Sequence, residues 1–312
     1  MYIVTGGAGF IGSNIVKGLN DRGIDDILIV DNLSNSQKHL NLNRLKYRDY
    51  VDKKDFFEFL GYIEEDIDVI FHQGACSNTM ETDGRYMMEN NYEFSRELLL
   101  FALEKKIRFI YASSASIYGN GDDGFVEAEE CEYPLNIYAF SKFSFDNYIR
   151  GLGKLNSQVV GLRYFNVYGP QENHKGSMAS VAYHFFNQMK EDNKVKLFEG
   201  SKDFRRDFIH VQDVVDVNMF FFENPKLSGI FNCGTGKARS FFDIAEAMKE
   251  SYPDVEVEFV PFPEKLKGKY QAYTQADLSK LREIGYEGDF RTLEEGVGEY
   301  LMVLENTGGY IK

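Results

Sequence analysis

The sequence predicts an α/β fold, a doubly wound parallel sheet with a smaller α/β lobe attached. Three observations predict it. Short apolar runs alternate with amphipathic stretches of helical length, a glycine-rich turn, TGGAGFIG (5–12), follows the first run, and the alternation breaks at Gly169–Pro170. Strands buried on both faces read as continuous apolar runs, and alternation with helices implies a parallel sheet covered on each side. In chain order the predicted strands are 3–5, 26–31, 68–72, 108–113 and 159–164, and the predicted helices 11–21, 53–60, 89–105 and 138–152. Beyond the break, the spacing predicts a polar loop over 170–180, helices near 178–191, 240–250 and 292–304, and short strands near 195–198 and 255–260. The expected division is 1–168 for the first domain, rejoined by a return segment at 208–234, with 169–312 mainly forming the second lobe.

Composition narrows the function classes. The chain has 312 residues, 43% hydrophobic and 27% charged, the balance of a globular protein with a sizeable core. Lys plus Arg is 35 and Asp plus Glu is 49, a formal charge of −14, which argues against nucleic acid as a partner. Three scattered cysteines (Cys76, Cys131, Cys233) fit neither a disulfide framework nor a zinc site and suit a reducing cytoplasm. The five histidines lack metal-ligand spacing, so no metal is expected. No apolar stretch is long enough to span a bilayer and no signal region precedes the first run, so no membrane association is expected.

The turn at 5–12 points to a dinucleotide, and with the sheet it makes the first domain Rossmann-type. Gly6 permits a tight turn, Gly9 lets the backbone approach a pyrophosphate, and Gly12 lets the helix pack on the sheet; Phe10 and Ile11 open that helix. Asp31 ends the second strand, the position of a ribose contact. Asp31 alone favours NAD; Asn32, Lys38 and Lys53 nearby could serve a 2′-phosphate, so the residues leave NAD and NADP open. Gln73, Gly74, Ala75, Cys76 and Ser77 follow the third strand, where small residues suit a backbone passing close to an adenine or ribose; His72 reads as a packed strand residue.

Chemistry is expected beyond the carboxyl ends of the strands. YASSASIYG (111–119) ends the fourth strand with Ser113, Ser114 and Ser116, and Tyr138 and Lys142 follow with four-residue spacing. On a helix that spacing puts an ammonium beside a phenol, lowering the phenol pKa toward working pH and making a general acid/base for a sugar or alcohol oxygen. The spacing is cheap: Tyr50 and Lys54 share it without a serine-bearing strand end before them, and read as a surface pair.

TGGAGFIG, SSASIYG, YAFSK, RYFNVYGP (163–170) and RRDFIHVQDVVD (205–216), in this order over the whole chain, resemble the extended short-chain dehydrogenase/reductases. The resemblance implies that Ser114 is the catalytic serine, Tyr138 the acid/base and Lys142 the ribose ligand that lowers the tyrosine pKa. Dehydratases of that family carry an Asp-Glu pair where this chain has Ala115 and Ser116, which leaves epimerase or reductase. NVYGPQENHKGSMASVAYH (166–184), FEGS (198–201), GRYMMENNY (84–92) and KLKGKYQAYTQADL (265–278) further resemble the branch of ADP-L-glycero-D-manno-heptose 6-epimerases.

That resemblance implies tightly held NADP, an ADP-heptose substrate, a homo-oligomer reported as a pentamer, and a place in nucleotide-activated heptose biosynthesis for the lipopolysaccharide core. It carries cofactor contacts to Asn90, Val167 and Lys175, with Lys38 and Lys53 as 2′-phosphate candidates, but no side-chain role to Gln73. Substrate contacts carry to Ser114, Asn166, Ser177, His184, Phe198, Glu199, Gly200, Ser201, Arg206 and Tyr270. The implied reaction inverts carbon 6 by transient oxidation to a ketone and re-reduction on the other face. Two faces imply two proton handlers. Tyr138 is one and the resemblance makes Lys175 the other; the plainer reading of Lys175 is a phosphate ligand or a solvated loop charge. Competing readings are a UDP-hexose 4-epimerase, an NADP-dependent reductase and a non-catalytic dinucleotide sensor.

Overall fold

The computed structural model describes residues 1–262 and 272–312. The first half contains β1 (Tyr2–Thr5), α1 (Phe10–Asn20), β2 (Ile27–Asp31), β3 (Asp49–Asp52), α2 (Phe56–Tyr62), β4 (Val69–His72), α3 (Gly84–Met88), α4 (Phe94–Lys105), β5 (Arg108–Ser114), α5 (Ile137–Gly151) and β6 (Val159–Tyr164). It continues through β7 (Asn166–Tyr168), α6 (Val181–Asp192), β8 (Lys194–Phe198), β9 (Arg205–His210), α7 (Val211–Glu223), β10 (Gly229–Cys233), β11 (Ala238–Ser240), α8 (Phe241–Ser251), β12 (Glu256–Val260), α9 (Ser279–Glu283) and α10 (Leu293–Thr307).

A parallel sheet of seven strands in the order β10-β6-β5-β4-β1-β2-β3 forms the centre. The five predicted strands of the first half are all in it, because wholly apolar runs such as ILIVD and VVGLRY are buried along their length. The α/β doubly wound architecture is therefore the one expected. β3 was not expected: DYVD is polar and half-exposed, and it sits at the sheet edge with a strand neighbour on one side only. Its register places Tyr50 opposite Ile29. Tyr50 and Lys54 are therefore not the surface pair expected. The Tyr50 phenol is half-buried and donates to Asp31 O (2.9 Å), while Lys54 is exposed beyond the strand.

The helix expected over 89–105 starts earlier, at α3 capped by Asp83, and reaches α4 through a single π turn, Glu89–Glu93. After β7 the chain builds two small sheets, β11-β9-β7 and β12-β8. Phe185, Phe186, Met189, Leu197, Met248, Val297 and Leu301 pack there into a separate core. Between these elements the chain returns to the first layer. α7 packs on α1 so closely that a Cβ at Gly18 would lie 2.5 Å from Val215 Cγ1, and β10 joins the central sheet beside β6.

Candidate active site

The turn between β1 and α1 is shaped by backbone contact. Gly6 has φ +65°, and a Cβ there would lie 2.7 Å from Gly74 N; a Cβ at Gly12 would lie 2.1 Å from Gly6 O. Gly9 precedes the helix as its N-cap with no side-chain cap, so Phe10, Ile11 and Gly12 open α1 with amides free to meet an anion. Residues 73–77 fold against this turn: Gln73 N donates to Thr5 O (3.0 Å), Gly74 N to Thr5 Oγ1 (3.1 Å), and Cys76 N to Asn91 Oδ1 (2.7 Å). Ala75 and Ser77 lie in the same loop. The Gln73 amide Nε2 is buried with no hydrogen-bond partner among the described residues.

Asp31 is buried at the end of β2, with both oxygens engaged. Oδ2 accepts from Ala8 N (2.9 Å), and Oδ1 accepts from Asn32 N (2.7 Å) and Lys38 Nζ (2.6 Å). Lys53 lies past β3, bonded to Asn90 Oδ1 and 4.8 Å from the Phe94 ring centre; burial above all holds its ammonium below the usual lysine range. Asn90 sits in the π turn and Val167 on β7. The residues present fit a dinucleotide: a glycine cradle that any Cβ would fill, at the start of a helix, bordered by a buried carboxylate.

The chemical side chains lie one layer further along the sheet. Ser114 ends β5, and its hydroxyl accepts from Ser116 N (3.2 Å) and Ser116 Oγ (2.9 Å). Asn136 caps α5 by accepting from Ala139 N (2.8 Å), which fixes Tyr138 in the first turn and Lys142 one turn on. Tyr138 is half-buried and hydrogen-bonds to Ser114. Lys142 is buried and donates to Ala112 O (2.8 Å); burial pushes its ammonium down to about 8, with Asp146 opposing.

One expectation is corrected. The Tyr138 phenol is raised rather than lowered: burial dominates, and the Ser114 bond only partly offsets it. The ammonium of Lys142 is spent on the backbone of β5, so the activating charge expected from it is not the dominant force on the phenol.

The loop between β7 and α6 carries Lys175 in a short 3₁₀ turn, Asn173–Met178. Its Nζ lies 4.0 Å from Glu172 Oε2 and 4.8 Å from the Phe10 ring centre, so it faces the first residue of α1. Burial holds it below the usual lysine range and Glu172 opposes. The loop is strapped on two sides. Asn35 Nδ2 donates to His174 O (3.0 Å), Asn41 Nδ2 to Gln171 O (3.0 Å), and Gln171 Nε2 to Asn41 O (2.9 Å). Gln171 N donates to Gly309 O (2.8 Å), and Gln171 itself is left-handed at φ +79°.

A cavity of about 250 Å³ lies under this loop, lined by Asn166, Lys175, Ser180, Phe208, Phe241 and neighbours. The structure thus brings Asn166, Val167 and Lys175 together. Ser177 shares the turn, and His184 lies on the first turns of α6, its ring 6.1 Å from that of Tyr183. Arg206 is buried on β9, donates to Arg205 O (2.9 Å) and lies over Phe241, a cavity wall residue. Phe198, Glu199, Gly200 and Ser201 follow β8, where Phe198 packs on Phe262; they do not line this cavity among the described residues. Tyr270 lies outside the described residues.

Two buried groupings were not anticipated. Asp146 accepts from Tyr111 OH (2.8 Å), Ser113 Oγ (2.9 Å) and Arg163 Nε (3.1 Å) and NH2 (3.0 Å), and Arg163 also pairs with Glu132. The signal was present: an arginine inside the apolar run VVGLRY and a carboxylate one turn after Lys142. Glu172, fully buried, is the second. His72 bonds to Thr5 Oγ1 (2.6 Å) and Ser95 Oγ (2.8 Å), and burial pushes it down to about 3, a neutral packed residue. Among the described residues there is no His, Cys, Asp and Glu cluster able to hold a metal, and no helix long and apolar enough to cross a membrane.

A parallel sheet with a glycine cradle after its first strand, and a Ser-Tyr-Lys set at the end of β5 and start of α5, defines an extended short-chain dehydrogenase/reductase. The chain belongs to the NAD dependent epimerase/dehydratase family, whose pattern matches residues 2–234. It is similar to the ADP-L-glycero-D-manno-heptose-6-epimerase of Brachyspira hyodysenteriae, 63% identical across the whole of both chains. The Helicobacter pylori ADP-L-glycero-D-manno-heptose-6-epimerase structure is 31% identical, with TM-score 0.86 over 98% of this chain and 96% of that one. The UDP-N-acetylglucosamine 4-epimerase of Methanobrevibacter ruminantium is 27% identical, with TM-score 0.84 over 96% of each.

Proposed function

We propose that the protein is an isomerase that inverts carbon 6 of ADP-D-glycero-β-D-manno-heptose to the L-glycero epimer, using a resident NADP. The observation that carries this is the full-length identity to the Brachyspira epimerase. A bound nicotinamide dinucleotide supplies hydride removal from carbon 6 and its return, the chemistry a centre without an acidic proton requires. The glycine cradle at 6–12 and the loop 73–77 would hold it, with Lys142 on the nicotinamide side. Lys38, already paired with Asp31, offsets the carboxylate that would repel a 2′-phosphate, and Lys53 adds a second positive charge; this supports NADP over NAD.

On this reading Tyr138 takes or gives the proton of the carbon 6 oxygen in one substrate orientation, with Ser114 hydrogen-bonding that oxygen. Lys175 does the same in the other orientation, and its burial favours the neutral form a base needs. Arg206 meets the diphosphate by charge and fork geometry, and Asn166, Ser177 and His184 surround the sugar. The functional division is 1–168 with return segment 208–234 for the dinucleotide, and 169–312 mainly for the substrate. The protein would work in the cytoplasm, in the supply of activated heptose for the lipopolysaccharide core. A homo-oligomer is part of the proposal, with exposed Tyr86, Leu135 and Phe140 as surface available to it.

The test is to incubate the purified protein with ADP-D-glycero-β-D-manno-heptose without added cofactor and follow inversion by NMR. Inversion supports the proposal; none, with turnover of UDP-galactose instead, overturns it.

A further inference from the structure

We propose that Glu172 is a positioning residue for Lys175, fixing where its ammonium lies and how tightly it holds its proton. The inference rests on the reading of Lys175 as a proton handler and extends it to a residue outside the implied catalytic set.

The observation is a buried carboxylate with two structural anchors and one cation. Glu172 is fully buried. Its Oε2 accepts from Ser180 N (2.6 Å) and its Oε1 from Ser180 Oγ (2.6 Å). Ser180 is itself the N-cap of α6, accepting from Tyr183 N (3.3 Å). A carboxylate in that position is held by charge-assisted bonds at the positive end of a twelve-residue helix. The third neighbour is Lys175 Nζ, 4.0 Å from Oε2. Without this anchor a lysine in a short turn has four rotatable stem bonds and no fixed address. With it, the ammonium is held between α6 and the Phe10 ring at the start of α1.

Other groups around the pair do not supply the same charge. His174, next to Lys175, is pushed down to about 4 by burial, Lys38 and Lys175 itself, so it is neutral at working pH. Lys38, which reaches the group through His174, carries the same sign as Lys175. Tyr183 belongs to α6. Tyr300, from α10, faces the carboxylate too, and its phenol is raised by burial, by the Glu172 charge and by a hydrogen bond to Glu172, so it stays neutral. Burying a lysine favours its neutral form, and an opposite charge within 4–6 Å favours the ammonium. Glu172 therefore sets the balance that lets one side chain accept a proton and later return it.

The test measures Lys175 directly. Acetic anhydride acylates only the neutral amine, so the pH dependence of Lys175 acylation, read by peptide mass spectrometry, gives its titration midpoint in the whole protein. Glu172→Gln removes the charge and keeps the shape. The midpoint is expected to fall by about one pH unit, with the Lys175-dependent limb of the pH–turnover profile moving the same way. Glu172→Asp keeps the charge and is expected to restore most of the midpoint. An unmoved midpoint and profile in Glu172→Gln would overturn the inference. If Glu172→Gln does not fold, Glu172→Asp is read alone: its charge is kept but withdrawn, so the Lys175 midpoint should fall by a small fraction of the shift expected for Glu172→Gln, and a midpoint identical to wild type overturns the inference. Normal inversion by Lys175→Met would instead defeat the reading of Lys175 itself, whatever Glu172 does.

Discussion

Replacing Asp146 by Asn should damage stability and chemistry together, because one buried carboxylate serves both. Asp146 is fully buried and takes four donors, from Tyr111, Ser113 and twice from Arg163, which is itself fully buried. Asn keeps one acceptor, turns an NH₂ toward donors and removes the charge, leaving Arg163 with Glu132 alone. Breaking a buried pair by removing one partner costs about 3–5 kcal/mol. At about 2 °C per kcal/mol for a chain of this size, the melting temperature should fall by roughly 6–10 °C. Asp146 also opposes the burial that pushes Lys142 down to about 8. A lysine loses its charge as pH rises through its pKa, so losing Asp146 brings that loss at lower pH. The alkaline limb of turnover, near pH 8 if Lys142 governs it, should move down in Asp146→Asn. Calorimetry and a pH–turnover series test both. A lower melting temperature with an unmoved alkaline limb would show that Asp146 does not govern Lys142. An unchanged melting temperature together with an unmoved alkaline limb would refute the whole account of the network.

Three further outcomes are expected. Tyr138→Phe should lower turnover by about a hundredfold or more, the usual range for a lost acid/base; inversion near the wild-type rate by NMR would remove Tyr138 from the mechanism. Gly12→Ala places a Cβ 2.1 Å from Gly6 O, so dinucleotide co-purifying with the protein, measured by absorbance after denaturation, should be lost. Lys38→Ala should weaken NADP⁺ about tenfold or more by calorimetric titration, the scale of a charged hydrogen bond. NAD⁺ should be little changed, and equal losses for both would place Lys38 away from the 2′-phosphate.

The central sheet was legible because a parallel strand covered on both faces must be apolar throughout. β2 and β6 announce themselves in sequence by that rule. β3 did not, since an edge strand with one neighbour is more exposed and tolerates polar residues, and only Val51 of DYVD is buried. The small sheet of β7, β9 and β11 was hidden for a different reason: β7 and β11 have three residues each, and the strands pair over long sequence separations. In the site, spacing located Tyr138 and Lys142 on one helix but gave no hint that Lys142 would turn to Ala112 O. That depends on where β5 lies relative to α5, a tertiary fact. Asp146 and Arg163 were visible as charges in apolar settings, and Glu172 had no local signal, because its anchor, Ser180, is eight residues on across a turn.

The straps on the Lys175 loop bear on how the protein keeps its cofactor. Asn35 and Asn41 flank Lys38 in sequence, and both bond to the loop that carries Lys175. The segment that carries Lys38 is thus tied to the segment that carries Lys175, so neither can shift far without breaking the bonds that join them. A dinucleotide seated there would be retained kinetically even if its equilibrium affinity were ordinary, which suits a reaction that ends with its cofactor in the state in which it began.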